Sequence, residues 1–212
     1  MGRTRIKICG VRTLETARAA VNAGADAVGF VFYKSSPRYI EPEEAWPIIN
    51  RLPPMATTVG LFVNASFDDY ADVEQVCPTD FGQLHGQETE RTVRECGPRI
   101  IKAIRFDAAT VREDLARWAE VEEVDAILVD GSSGGLGVAL DWKALTDAKS
   151  SGGEKPIILA GGLTPANVAE AVRTVRPYAV DVSSGVEVAG RPGEKDPALI
   201  EAFCEAVRAA DR

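Results

Sequence analysis

The chain has 212 residues, of which 45% are hydrophobic and 26% charged, so it can bury a full core and is predicted to form one domain over residues 1–212. Its net charge of -8 argues against nucleic-acid binding, which needs a basic face, and the lack of a long apolar run argues against a membrane or signal segment. The four cysteines form no C-x-x-C pair, so we expect reduced thiols in a cytoplasmic protein.

Eight short apolar runs are typical of strands, and stretches of helical period lie between them. The expected strands are residues 5–9, 26–31, 57–63, 80–84, 100–105, 125–129, 157–160 and 178–182. Expected helices include Thr13–Asn22, Pro42–Arg51, Ala109–Val121 and Pro165–Val175, the last with Thr164 as its cap. Eight strand–helix units in one α/β domain favour a closed parallel (β/α)8 TIM barrel over an open doubly wound sheet.

The ends of the seventh and eighth strands are rich in small residues. Gly161 and Gly162 follow the seventh strand, and Ser183, Ser184 and Gly185 follow the eighth. Barrels that bind phosphate commonly do so at these two loops, because glycine lets backbone N–H groups approach the anion. Tight turns would explain the glycines of either loop alone equally well, but the two loops together favour a phosphate site.

Cys9 and Asp130 are the candidate catalytic residues, since each ends a strand at the face where barrel enzymes carry out their chemistry. The first and sixth strands flank the seventh and eighth in a closed barrel, so the two side chains would lie on either side of the phosphate. One group could donate a proton while the other removes one, if the pKa of Cys9 is lowered and that of Asp130 raised. The alternatives are an inert buried thiol and a carboxylate that orders its own loop.

Four other polar residues are weaker candidates. Arg38, after the second strand, could bind a carboxylate or phosphate through its planar fork, or could be a solvated loop cation. His85 is the only histidine, and without an acidic companion in sequence it is more often a hydrogen-bonding wall residue than a base or a metal ligand. Asp181 could simply order the loop after the eighth strand, and Arg105 is ambiguous.

Motifs spread along the whole chain carry a family resemblance. They are Lys7-Ile8-Cys9-Gly10, Gly24-Ala25-Asp26-Ala27-Val28-Gly29-Phe30-Val31-Phe32, Ser36-Pro37-Arg38, Gly60-Leu61-Phe62-Val63-Asn64, Gln83-Leu84-His85-Gly86, Asp130-Gly131, Leu159-Ala160-Gly161-Gly162-Leu163, Asp181-Val182-Ser183-Ser184-Gly185-Val186-Glu187 and Lys195-Asp196. Together they closely resemble the phosphoribosylanthranilate isomerase family, and the match extends from Ile6 to the final helix.

The resemblance implies an Amadori rearrangement in tryptophan biosynthesis, which converts N-(5-phosphoribosyl)anthranilate into the open-chain carboxyphenylamino-deoxyribulose phosphate. It implies Asp130 as the general acid that protonates the ring oxygen and Cys9 as the general base that takes the C2 proton. Arg38 would contact the anthranilate end, and His85 would be a wall residue. The implied phosphate-binding residues are Gly161, Gly162, Ser183, Ser184 and Gly185. The implied partner is a small phosphoribosyl substrate, with no cofactor or metal, in a monomer or homodimer.

The loop after the sixth strand departs from the family pattern. The family typically has a threonine between glycines and an aromatic residue here, whereas this chain has Leu136–Leu140 in that region. Losing one hydroxyl hydrogen bond costs about 0.5–1.5 kcal/mol, so we expect altered affinity before lost chemistry. Two other functions compete: a sugar-phosphate epimerase, which the single histidine disfavours, and a noncatalytic phosphosugar sensor.

Overall fold

Eight parallel strands close into a barrel in the order of the chain, with β1 paired to both β2 and β8. The computed structural model describes residues 2–131 and 141–211. The strands are β1 (Arg5–Cys9), β2 (Ala27–Val31), β3 (Thr57–Phe62), β4 (Phe81–Leu84), β5 (Ile100–Arg105), β6 (Val124–Asp130), β7 (Ile157–Ala160) and β8 (Ala179–Val182). The predicted TIM barrel is confirmed.

The helices connect successive strands. They are α1 (Leu14–Asn22), α2 (Pro42–Ile49), α3 (Phe67–Val76), α4 (Glu90–Cys96), α5 (Val111–Ala119), α6 (Trp142–Ala148), α7 (Val168–Val175) and α8 (Pro197–Ala210). Short 3₁₀ helices cover Lys149–Gly152 and Ser184–Val186. Within residues 2–131 and 141–211, none of the helices has the length and apolar character needed to cross a bilayer.

The predicted strand bounds agree with the structure to within one residue, but helix starts are less accurate. Helix α1 begins after Thr13, whose hydroxyl caps it, and the cap predicted at Thr164 is wrong because α7 begins only at Val168. The side chain of Asn167 accepts the Thr164 N–H at 2.8 Å and donates to the Gly162 carbonyl at 2.9 Å. These bonds fold residues 164–167 into a separate turn beside the glycine loop.

Side chains alternate along each strand between the barrel interior and the helix layer. In β5, Ile101 and Ala103 belong to the interior cluster, whereas Ile100 and Ile104 pack in the larger core between strands and helices. A small cluster, Cys9, Val31 and Leu61, closes the interior at the ends of three neighbouring strands. The thiol of Cys9 therefore packs with Val31 and Leu61 at the C-terminal end of the barrel interior.

Candidate active site

The C-terminal ends of the strands surround a cavity of about 350 Å³, a volume that fits a small phosphorylated ligand. All the predicted site residues line this cavity except Gly185. The predicted residues that line it are Cys9, Arg38, His85, Asp130, Gly161, Gly162, Ser183 and Ser184. Barrel closure thus brings together residues from both ends of the chain, as the strand order predicts.

Cys9 lies at the end of β1 with only 3% of its surface exposed. Burial raises the pKa of its thiol above the ordinary value, and the carboxylate of Asp181 adds to the rise, while Lys7 and Lys195 oppose it. A base near neutral pH is expected to need a lowered pKa, and the structure shifts the pKa of Cys9 in the opposite direction. The cause is the removal of the thiol from water, which position along the chain does not reveal.

Asp130 ends β6 and is joined to His85 of the loop after β4. The His85 Nε2 atom lies 3.0 Å from Asp130 Oδ2, and its Nδ1 atom lies 2.9 Å from Gln83 Nε2. Because an amide nitrogen donates, Nδ1 accepts and Nε2–H donates to the carboxylate. The sequence provided no acidic companion for His85, and barrel closure supplies one, while its role as a hydrogen-bonding wall residue agrees with the geometry.

Arg38 is held by a carboxylate that is distant in sequence. Its Nε and Nη2 atoms donate to the two oxygens of Glu187 at 2.7 and 2.9 Å, so Arg38 is not a simple solvated loop cation. Lys195 donates to the same Glu187 at 3.0 Å. Burial opposes ionisation of Glu187, but the two cations outweigh it and lower its pKa. The guanidinium keeps further N–H groups beside the cavity for a ligand carboxylate.

The two glycine loops present backbone N–H groups to the cavity. Gly161 and Gly162 have φ of 88° and 66°, a region that side chains other than glycine rarely adopt. Among the described residues, the amides of Gly161, Gly162 and Ser184 donate to no protein acceptor. Gly185 instead allows the loops to touch, since a Cβ there would lie 1.9 Å from the Leu163 carbonyl oxygen. Backbone N–H groups that lack a protein acceptor in this way are chemically suited to an anion.

Comparison with known proteins decides the family. A sequence profile of N-(5'phosphoribosyl)anthranilate (PRA) isomerase matches residues 6–206. The N-(5'-phosphoribosyl)anthranilate isomerase of Moorella thermoacetica is 49% identical over 212 residues, covering 98% of this chain and 91% of that protein. The chain belongs to the N-(5'-phosphoribosyl)anthranilate isomerase family. It is therefore an enzyme, an isomerase of tryptophan biosynthesis.

Solved structures of family members share the fold of this isomerase. A phosphoribosyl anthranilate isomerase in complex with reduced 1-(o-carboxyphenylamino)-1-deoxyribulose 5-phosphate superposes with a TM-score of 0.85 at 38% identity, covering 97% of this chain and 99% of that chain. A monomeric form of the dimeric isomerase from Thermotoga maritima gives 0.84 at 37% identity, with 97% and 98% covered.

Sequence reasoning missed an ion pair in the barrel interior of this isomerase. Lys7 and Asp181 form an ion pair with Nζ to Oδ1 at 3.0 Å and side chains only 4% and 8% exposed. Lys7 lies two residues before Cys9 in β1. Because side chains alternate between the two faces of a strand, this spacing could have placed both side chains on one face. From the sequence, Asp181 is predicted only to order the loop after β8.

Two other predictions concern the rim of the site. The small-residue loop after β6 and the atypical Leu136–Leu140 segment lie outside the described residues. Arg105, at the end of β5, lines a neighbouring cavity on the far side of His85 and Asp130 rather than the one that contains Cys9. The cavity with Cys9 therefore remains the candidate active site.

Proposed function

We propose that this isomerase catalyses the Amadori rearrangement of N-(5'-phosphoribosyl)anthranilate to 1-(2-carboxyphenylamino)-1-deoxyribulose 5-phosphate, with Asp130 as general acid and Cys9 as general base. The observation that carries the proposal is that both residues line one cavity, on strands that flank β7 and β8 with their glycine loops. A relative bound to a reduced form of this product supports the choice of ligand.

The substrate phosphate binds at the two glycine loops. Gly161, Gly162 and Ser184 supply backbone N–H donors, and open space around Gly162 leaves room for the anion. Ser183 contributes its backbone, because its hydroxyl already donates to the Cys9 carbonyl at 3.1 Å. Gly185 acts indirectly by letting the second loop pack on Leu163. Phosphate at this position holds the sugar between Cys9 and Asp130.

Asp130 donates a proton to the furanose ring oxygen, so that the ring opens to a Schiff base. The carboxylate that remains accepts the N–H of His85 Nε2 at 3.0 Å. Gln83 donates to the opposite ring nitrogen and so favours the tautomer that stabilises the ionised product of this step. His85 therefore supports the acid without itself transferring a proton.

Cys9 then removes the proton from C2 of the Schiff base. A thiolate with a raised pKa is a stronger base but is less populated near neutral pH, so the rate rises with pH as Cys9 ionises. His85 is engaged by Asp130 and Gln83, and no histidine is thus available to activate the thiol for nucleophilic attack. Cys9 carries a proton and forms no covalent intermediate.

The protons and electrons balance within the substrate. The ring oxygen gains a proton from Asp130, and C2 loses a proton to Cys9. The resulting enolamine becomes the ketone by gaining a proton at C1 and losing the one on the C2 hydroxyl. Oxidation at C2 is matched by reduction at C1, so the scheme needs no cofactor or metal.

Arg38 binds the anthranilate carboxylate. Glu187 engages its Nε and Nη2 atoms and fixes the plane of the guanidinium, which leaves N–H groups of the fork for a second carboxylate. Losing this contact would weaken binding of the aromatic end while leaving the proton-transfer groups in place. We expect Arg38→Met to raise KM far more than it lowers kcat.

The proposal is tested by following loss of the substrate's fluorescence with Cys9→Ala and Asp130→Asn. Matched controls are Cys204→Ala, a buried thiol in α8, and Asp125→Asn, an exposed carboxylate on the same strand as Asp130. The first two variants should lose kcat by at least about a hundredfold, and the controls should not. Wild-type turnover by either variant would refute its assignment, and tight product binding without turnover by the wild type would indicate a phosphosugar sensor.

We place the reaction in the cytoplasm, and four free, buried cysteines support a reducing compartment. The assembly is a monomer or a homodimer; a solved relative is described as dimeric. Light scattering after gel filtration distinguishes the two states.

A further inference from the structure

A buried ammonium lies directly below the thiol of Cys9. Lys7 is only 3% exposed, and because it precedes Cys9 by two residues in β1, both side chains belong to the same face of the strand. Its Nζ atom donates to Asp181 Oδ1 of β8 at 3.0 Å. A charge in a barrel interior loses its hydration, so its presence there calls for a reason beyond packing.

The neighbouring strand leaves room for the ammonium to reach the thiol. A Cβ atom on Gly29 of β2 would lie 2.9 Å from Cys9 Sγ and 3.2 Å from Lys7 Nζ. The sulfur and the nitrogen thus occupy the space that a side chain at this position would fill. Glycine at residue 29 therefore leaves room for both groups on this side of the strand.

Other charged groups also face Cys9 or its cavity. Asp181 approaches from β8, and Lys195 approaches from the segment before α8. Lys195 is already bound to Glu187 at 3.0 Å and to the Ser183 carbonyl at 2.9 Å. The remaining charged or titratable residues that line the cavity are Tyr33, Arg38, His85 and Asp130.

The charges near the sulfur act in opposite directions. Burial raises the pKa of Cys9, and Asp181 raises it further, whereas Lys7 is the largest influence that lowers it. Burial also disfavours the charged form of Lys7, but Asp181 and Cys9 outweigh this and raise its pKa. Lys7 therefore stays charged beside the thiol, and its carboxylate partner Asp181 limits its effect.

We propose that Lys7 is a positioning residue whose ammonium stabilises the thiolate of Cys9, and that Asp181 moderates this effect by sharing the same ammonium. The inference rests on the proposed role of Cys9 as the base. A purely structural role explains this ion pair less well, because buried pairs often contribute little net stability. A pair that served packing alone would not need to lie beside Cys9.

The two partners of the pair predict opposite changes in thiol acidity. Lys7→Met should shift ionisation of Cys9 to higher pH, and Asp181→Asn should shift it to lower pH. The measurement is the pH dependence of iodoacetamide alkylation at Cys9, assigned by mass spectrometry of its peptide. At pH 7 Lys7→Met should be alkylated at least about tenfold more slowly than wild type, and Asp181→Asn faster. In each variant, the acid limb of the pH profile of kcat/KM should shift in the same direction as the ionisation of Cys9.

Two further variants keep the test decisive. If Lys7→Met fails to fold because Asp181 is left unpaired, the double variant Lys7→Met/Asp181→Asn removes the whole pair. Cys9 in this double variant should still ionise at higher pH than Cys9 in Asp181→Asn. Cys9→Ala tests the base assignment separately, since alkylation reports acidity whether or not Cys9 is catalytic. An unshifted alkylation profile in Lys7→Met, or shifts in the same direction for both single variants, would overturn the inference.

Discussion

The imidazole of His85 joins the end of β4 to the end of β6, because its Nε2 atom lies 3.0 Å from Oδ2 of Asp130. The other ring nitrogen is fixed by Gln83, which is fully buried. This chain of hydrogen bonds determines which nitrogen donates to the carboxylate. The proposed acid is consequently oriented by His85, in the loop after β4, and through it by Gln83 of β4.

We expect His85→Ala to reduce kcat/KM by about ten- to a hundredfold, since a hydrogen bond to a charged group contributes about 1.5–3 kcal/mol. His85→Gln should recover part of the loss, as its amide can still donate to Asp130. The exposed neighbour Gln87 provides a control through Gln87→Ala. Steady-state kinetics measure the effect, and equal activity of His85→Ala and wild type would show that Asp130 needs no support from the imidazole.

Position along the chain predicts the strands and the two central side chains of this site. Short β-branched runs locate each strand to within one residue, because a strand buried on both faces is nearly continuously apolar. Cys9 and Asp130 follow from where their strands end. The order of the strands around the ring then places them on either side of the glycine loops.

The partners of these residues could not be predicted in the same way. Glu187 lies 149 residues from Arg38, and Asp181 lies 174 residues from Lys7. Only closure of the barrel brings such residues together, and hydrophobic periodicity does not encode which charge meets which. The direction of the Cys9 pKa shift depends on burial in three dimensions, so it too required the structure.

Gly185→Ala should impair substrate binding. The added Cβ would lie 1.9 Å from the Leu163 carbonyl oxygen, so the two loops must separate and the N–H donors at Gly161 and Gly162 would move. A displacement of about 1 Å can cost about a hundredfold in rate, and we expect KM to rise by at least about tenfold. Titration with inorganic phosphate as a competitive inhibitor should show a similar loss of affinity for phosphate.

A glycine outside the cavity controls for backbone strain. Gly153 has φ of 59° and ψ of -130°, so Gly153→Ala is strained by about 1–3 kcal/mol, but its Cβ would meet nothing closer than 3.9 Å. We expect lower stability with an unchanged KM. If Gly153→Ala raised KM as much as Gly185→Ala, general strain rather than loop separation would explain both.

Glu88→Ala should lower the free energy of unfolding far more than the same substitution at an exposed carboxylate in a similar ion pair. Its carboxylate lies 2.7 Å from Lys102 Nζ, and the two side chains are 1% and 2% exposed. Removing one member of a buried pair leaves an uncompensated charge and costs about 3–5 kcal/mol. Glu90 pairs with Arg117 at the same distance of 2.7 Å, but these side chains are 42% and 52% exposed. Glu90→Ala should cost less than about 1 kcal/mol, and urea unfolding of the two variants measures the difference.

Two buried carboxylates, those of Glu88 and Glu187, predict that the protein loses stability in acid. Burial opposes ionisation of Glu88 and Glu187, but their cationic and hydrogen-bonding partners outweigh it and lower both pKa values in the folded state. A lowered folded-state pKa stabilises the protein above the unfolded value of about 4.3, and this contribution is lost as pH falls through the folded value. The free energy of unfolding should therefore fall below about pH 4. Glu88→Gln should fall less steeply there than wild type in denaturant titrations at successive pH values, and an equal slope would show that Glu88 does not drive the acid transition.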